Sequence, residues 1–195
     1  GLGAEIRMKA RLRGISWNEG RATSLHFGEG RLRVDPGDAV VLAVPPEICA
    51  ELWPDVEVPA GSRPIVNAHF LIDDAWELPW GLPFLGIVGG EAQWLFVRDN
   101  VLSITISAAD SVIDRPAWEL ANLLWSEATR ALGRNVGRVP PWRVIKERRA
   151  TFAQTPADVG RRAQTRTALD NLFVAGDWTD TGLPATIEGA VLSGQ

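Results

Sequence analysis

The stretch from Leu172 to Gly194 constrains the fold of this chain more than any other. Leu172–Ala175 is a short apolar run bounded by a glycine, which predicts a strand. Gly176 and Asp177 follow at once. Glycine lets the backbone approach a ligand closely, and an aspartate there can accept hydrogen bonds from sugar hydroxyls. After a loop, Pro184 stands where helices favour a first residue. The amides of Ala185, Thr186 and Ile187 are then predicted to be unpaired and directed at something electron-rich. Spacing alone leaves a second reading open, because strand, Gly-Asp and helix recur in many α/β proteins that bind nothing at this point.

A chain of 195 residues that is 46% hydrophobic can bury one core, or two small ones. A net charge of -4 gives no reason to expect nucleic acid. The basic residues between Arg143 and Arg166 are interspersed with acids and lack an aromatic ladder, so they predict a solvated face or a contact with another part of a longer protein. The single cysteine, Cys49, excludes an internal disulfide and suits a reducing cytoplasm. It lies in an apolar helical run and is expected to be buried and inert. No apolar run approaches the roughly 20 residues that span a bilayer, and no signal peptide is visible.

Along the chain, Glu5–Arg13 alternates Ile6, Met8, Ala10 and Leu12 with mostly charged residues, predicting a half-buried strand. Ile15–Trp17, Thr23–Phe27 and Leu32–Val34 read as short antiparallel strands, turned at Asn18–Gly20 and Gly28–Gly30. Val40–Val44 is continuously apolar, as a strand buried on both faces should be. Strands are also expected at Ile65–Ile72, Phe84–Val88, Ala92–Val97, Val101–Ala108 and Trp142–Glu147. Asp99-Asn100 forms a hairpin turn and Gly86–Gly90 another. A helix capped by Asp114 carries Leu120, Leu123, Leu124, Ala128, Ala131 and Leu132 at helical spacing and stops at Gly133. Asp73, Asp74 and Glu77 form an acidic loop without metal-site spacing, so no metal is assigned.

The ordered run Ala175-Gly176-Asp177-Trp178-Thr179, then Ala185-Thr186-Ile187-Glu188-Gly189-Ala190, resembles the carboxy-terminal flavin-binding motif of the FAD-dependent amine oxidase and phytoene desaturase superfamily. Its wording is similar to that of plant carotene desaturases, and closest to that of the bacterial squalene-associated desaturases read as hydroxysqualene dehydroxylases. The resemblance implies an α+β chain with two parts. One is a partial FAD-binding domain, residues 1–46 and 169–195, lacking the amino-terminal Rossmann βαβ element. The other is a strand-rich substrate domain, residues 47–168, with a mixed or antiparallel sheet and one long helix, whose inner face would cover the flavin and enclose a tunnel. It further implies FAD contacts at Leu12, through its backbone, and at Gly176, Asp177, Ala185, Thr186 and Ile187. For the side chain of Leu12, a core strand position is an equal reading.

The superfamily's Gly-x-Gly-x-x-Gly turn has no counterpart here. The chain is therefore expected to be the carboxy-terminal part of a longer enzyme, partnered by the missing amino-terminal half and without FAD when isolated. Amine oxidases place a tyrosine of their aromatic cage at the position of Thr186, and this chain contains no tyrosine. That departure favours an isoprenoid lipid over an amine, and nine tryptophans suit an apolar cavity. Trp178 is a candidate aromatic surface. His69 shares a strand face with Asn67 and is a candidate general acid; the competing reading is a histidine hydrogen-bonded within the sheet. The expected function is hydroxysqualene dehydroxylation in squalene and hopanoid synthesis. The alternatives are a carotenoid desaturase, a flavin amine oxidase or a non-catalytic binding domain. The expected location is cytoplasmic, with room for a peripheral membrane contact through the lipid substrate.

Overall fold

A computed structural model describes residues 3–73, 76–134 and 137–195. Asp74 of the acidic loop lies outside the described residues. In chain order the elements are β1 (Leu12–Asn18), β2 (Arg21–Phe27), β3 (Gly30–Arg33), β4 (Val40–Leu42), α1 (Pro46–Leu52), β5 (Ser62–Leu71), β6 (Leu85–Gly86), β7 (Trp94–Arg98), β8 (Val101–Ser107), α2 (Ala117–Ala131), β9 (Trp142–Phe152), α3 (Pro156–Val159), β10 (Leu172–Val174) and α4 (Ile187–Ser193). They form two compact units, residues 1–61 with 152–195 and residues 62–151. The expected division is 1–46 with 169–195 against 47–168, and the compact units divide at 61 and 152. No helix among the described residues is long and apolar enough to cross a membrane.

In the first unit, β1, β2 and β3 form an antiparallel meander, and β10 pairs in parallel with β4, Phe173 opposite Val41. One core joins Val40, Leu42, Cys49, Leu52, Trp53, Phe152, Leu172, Val174 and Trp178. This cluster is why α1 belongs here: its buried face, Cys49 and Leu52, packs on β4 and β10 residues. The carboxylate of Asp158 ties the two ends of the unit together. It accepts from the amides of Ala60 (2.9 Å) and Gly61 (3.3 Å) and from the Thr155 hydroxyl (2.8 Å). Asn171, 4% exposed, performs a similar task between meander and terminal strand, accepting from Ala22 N at 2.8 Å and donating to Ala22 O at 3.0 Å. Such paired bonds satisfy backbone groups that burial would otherwise penalise by about 1–3 kcal/mol each.

Two strand expectations fail in this unit. Residues 5–11 form no strand, and Ile6 and Met8 are more than 80% exposed. Their alternation finds no neighbouring strand to pair with, and period alone does not supply one. Val41 is 57% exposed, so β4 is buried on one face only.

The second unit is a five-stranded sheet in the order β6-β7-β8-β5-β9, with α2 packed on one face. Alternate residues Val66, Ala68 and Phe70 of β5, Leu102, Ile104 and Ile106 of β8, and Leu95 of β7 meet Leu120, Ala121, Leu124, Trp125 and Ala128 of α2. Phe70, Trp125 and Trp76 stack in series at centroid distances of 5.2 and 5.5 Å. α2 ends as expected, with Gly133 at φ +63. Its start differs: Pro116 is the N-cap and no side chain caps it. Asp114 instead pairs with Arg148 of β9 at 2.8 Å.

Candidate functional site

The terminal motif folds as a loop between β10 and α4. Gly176 has φ +153, and a Cβ there would lie 2.7 Å from Trp178 Nε1. Glycine is required here by the protein's own indole. The Trp178 side chain is 1% exposed and donates from Nε1 to Val44 O at 2.9 Å. It is therefore a core residue and cannot offer an aromatic surface to a substrate. Ser193 Oγ accepts from Gly176 N at 2.9 Å, and Thr179 Oγ1 donates to Gly176 O at 2.8 Å.

Arg162 completes the frame. Its Nη2 donates to the carbonyls of Asp177 and Thr179, and its guanidinium lies 5.4 Å from the Phe152 ring centroid. Its Nε is buried with no partner among the described residues. The Asp177 carboxyl is half-buried, and burial pushes its pKa above the ordinary value. Arg162 and the backbone amides of Asp177 and Trp178 offset this in part. A desolvated carboxylate and an unpaired guanidinium N–H at one loop fit a polar group that carries both hydroxyls and acceptor oxygens.

The expected amides are arranged differently. Helix α4 begins at Ile187, because Thr186 is its N-cap and its hydroxyl accepts from Gly189 N at 3.1 Å. Ala185 N faces Gln154 Oε1 at 3.4 Å and is not a free donor. Pro184 therefore precedes the helix and does not open it. Ile187 is 87% exposed. Leu12 opens β1, half-buried against the core of its unit. The loop thus brings together Gly176, Asp177 and the unforeseen Arg162, and the Thr186 hydroxyl caps α4.

On the sheet of the second unit, the face opposite α2 carries a distinct set. Registers align Trp94, Thr105 and Asn67 across β7, β8 and β5, and in the next rank Phe96, Ser103 and His69. Thr105 Oγ1 donates to Asn67 Oδ1 at 2.7 Å, and His69 Nδ1 shares a hydrogen bond with Ser103 Oγ at 2.9 Å. His69 is hydrogen-bonded within the sheet, with Nε2 left over. Phe84 packs on both Trp94 (5.7 Å) and Phe96 (6.0 Å). Ser103 and Thr105 could have been found by counting outward from the Asp99-Asn100 turn, which sets this register.

Residues 1–195 match the family described as flavin containing amine oxidoreductase. Over 193 residues the chain is 45% identical to a hydroxysqualene dehydroxylase from Sinorhizobium fredii (strain NBRC 101917 / NGR234), covering 98% of this chain and 45% of that protein. It is 45% identical over 194 residues to a hydroxysqualene dehydroxylase from Rhodopseudomonas palustris (strain ATCC BAA-98 / CGA009), with the same coverage. The chain spans about half the length of these curated relatives. A crystal structure of an oxidoreductase from Methanosarcina mazei superposes with a TM-score of 0.64 at 12% identity, over 93% of this chain and 47% of that one, which speaks for the fold alone. With residues 1–195 matched by this one family, the chain belongs to the flavin containing amine oxidoreductases.

Proposed function

We propose that this chain is the carboxy-terminal part of an FAD-dependent oxidoreductase acting on an isoprenoid lipid, a hydroxysqualene dehydroxylase of squalene and hopanoid synthesis. The observation that carries the reading is the 45% identity, over 98% of the chain, to proteins of that name. Thr186 supports it: the hydroxyl there caps α4, at the position where amine oxidation would want an aromatic ring.

FAD, when bound, would supply the two-electron hydride chemistry. Asp177 would accept from its hydroxyls, Arg162 Nε would donate to one of its acceptor oxygens, and Gly176 would admit it close to the backbone. Replacing a hydroxyl by hydrogen breaks one C–O bond and forms one C–H bond. Reduced FAD would supply the hydride for that C–H bond, and the oxygen would leave as water after gaining a proton. His69 is our candidate for that proton donor, through Nε2, with Ser103 holding its ring by Nδ1. We place the enzyme in the cytoplasm against a membrane. Cys49, the sole cysteine, and the exposed Trp80, Leu82 and Val88 support that location.

The test is product analysis with the full-length flavoprotein under reducing and oxidising conditions, offered hydroxysqualene, phytoene and a polyamine. Squalene formed from hydroxysqualene under reducing conditions is expected. Faster turnover of phytoene or of the polyamine would overturn the reading.

A further inference from the structure

The sheet face opposite α2 is divided, and the division follows the strands. On β7 stand Trp94 and Phe96, 41% and 39% exposed, joined by Phe84 at 47%. On β8 and β5 stand Thr105, Asn67, Ser103 and His69, all half-buried. The two ranks, Trp94-Thr105-Asn67 and Phe96-Ser103-His69, each run from an aromatic ring to a polar pair. With strands about 4.8 Å apart, each rank spans about 10 Å, and the ranks lie about 7 Å from one another along the strand.

The polar pairs are not sealed. Thr105 donates to Asn67 Oδ1, so the Asn67 amide keeps its two Nδ2 hydrogens without a partner among the described residues. His69 uses Nδ1 on Ser103, and Nε2 is unused among them. Both surplus groups belong to neighbouring positions on one face of β5. Both residues are half-buried, and neither surplus nitrogen is among the buried polar atoms without a partner, so both are open to a ligand on this face. An apolar hydrocarbon would leave both unpaired, at a cost that a single hydroxyl removes.

We infer that this face reads an isoprenoid alcohol: Asn67 and His69, held by Thr105 and Ser103, take the substrate hydroxyl, while Trp94, Phe96 and Phe84 take the adjoining hydrocarbon. The inference rests on the proposed isoprenoid reading and assigns to these residues the discrimination of alcohol from hydrocarbon. The aromatic half binds chain of any kind and discriminates poorly, since a methylene in an apolar pocket is worth little to specificity. The polar half rejects a molecule lacking the hydroxyl, because its donors would be left buried and unpaired. Thr105 and Ser103 are positioning residues, acting through Asn67 and His69.

The test measures binding of hydroxysqualene and of squalene to the full-length holoenzyme, by perturbation of flavin fluorescence. Thr105→Val should weaken hydroxysqualene about tenfold and leave squalene unchanged, with Thr105→Ser restoring affinity. Ser103→Ala should act in the same direction independently. Trp94→Leu should weaken both ligands alike. Equal losses for the two ligands in Thr105→Val and Ser103→Ala, or no loss in either, would overturn the inference while leaving the proposed function standing. Failure of the unaltered holoenzyme to bind either isoprenoid would remove the functional reading and this inference with it.

Discussion

Gly176→Ala should destabilise the chain through two separable costs. The first is conformational: φ is +153 at this position, and holding an L-residue in such a region costs about 1–3 kcal/mol. The second is steric. The new methyl would lie 2.7 Å from Trp178 Nε1 and 2.8 Å from its Cδ1, and the indole cannot retreat without breaking its 2.9 Å bond to Val44 O inside the core. Overpacking of this kind typically costs about 1–3 kcal/mol. Taking about 2 kcal/mol for each gives about 4 kcal/mol, or a fall in Tm of about 8–16 °C for a chain of this length. Thermal unfolding followed by circular dichroism measures the sum, and a double-mutant cycle with Trp178→Leu separates the parts. Removing the indole should relieve the steric half and leave the backbone half, a coupling of about 2 kcal/mol. A Tm change below about 3 °C, or strict additivity of the two substitutions, would refute the account of why glycine stands here.

Three further outcomes follow from the geometry. Hydrogen bonds from Thr155, Ala60 and Gly61 hold Asp158 below its ordinary 3.8, so the folded chain binds fewer protons there than the unfolded one. Its stabilising contribution is present above 3.8 and lost as pH falls below it. Urea midpoints between pH 5 and pH 2 should show this limb in the parent and not in Asp158→Asn; identical pH profiles would contradict it. Burial pushes the Cys49 thiol up to about 11, so iodoacetamide at pH 8 should label it only on unfolding, and rapid native labelling would show the pocket to be open. Asp177→Ala in the full-length protein removes one charge-assisted acceptor, worth roughly 1.5–3 kcal/mol. FAD should then be held about tenfold to a hundredfold less tightly; unchanged flavin after dialysis would reduce Asp177 to a loop carboxylate.

What could be read in the sequence was what local rules determine. A continuous apolar run gave β10, interrupted apolar runs gave most of β5 and β8, and the Asp99-Asn100 pair gave β7 as the hairpin partner of β8. Helical spacing gave α2. What escaped was decided by partners distant in sequence. Residues 5–11 alternate correctly yet have no strand beside them. Asp114 looked like a cap because it precedes Pro116, but an arginine on β9 claims it. The Thr186 hydroxyl caps its own helix by accepting from Gly189 N, a role that only the placed start of α4 reveals. The site itself was half legible. Gly176 and Asp177 announce themselves by type and order, whereas Arg162 looked like one of several surface basics. Only folding shows it reaching the carbonyls of Asp177 and Thr179. Trp178 was ambiguous for the same reason, since nothing in its neighbours reveals that the indole turns inward to Val44.

The most direct test of the central claim is a single-turnover experiment on the full-length flavoprotein, reduced and held without oxygen, then mixed with hydroxysqualene. Oxidised-flavin absorbance should return with one squalene formed per flavin, and phytoene should produce no such return. Oxidised enzyme that is bleached by phytoene, together with reduced enzyme that stays reduced in hydroxysqualene, would contradict it and reassign the chain to a desaturase.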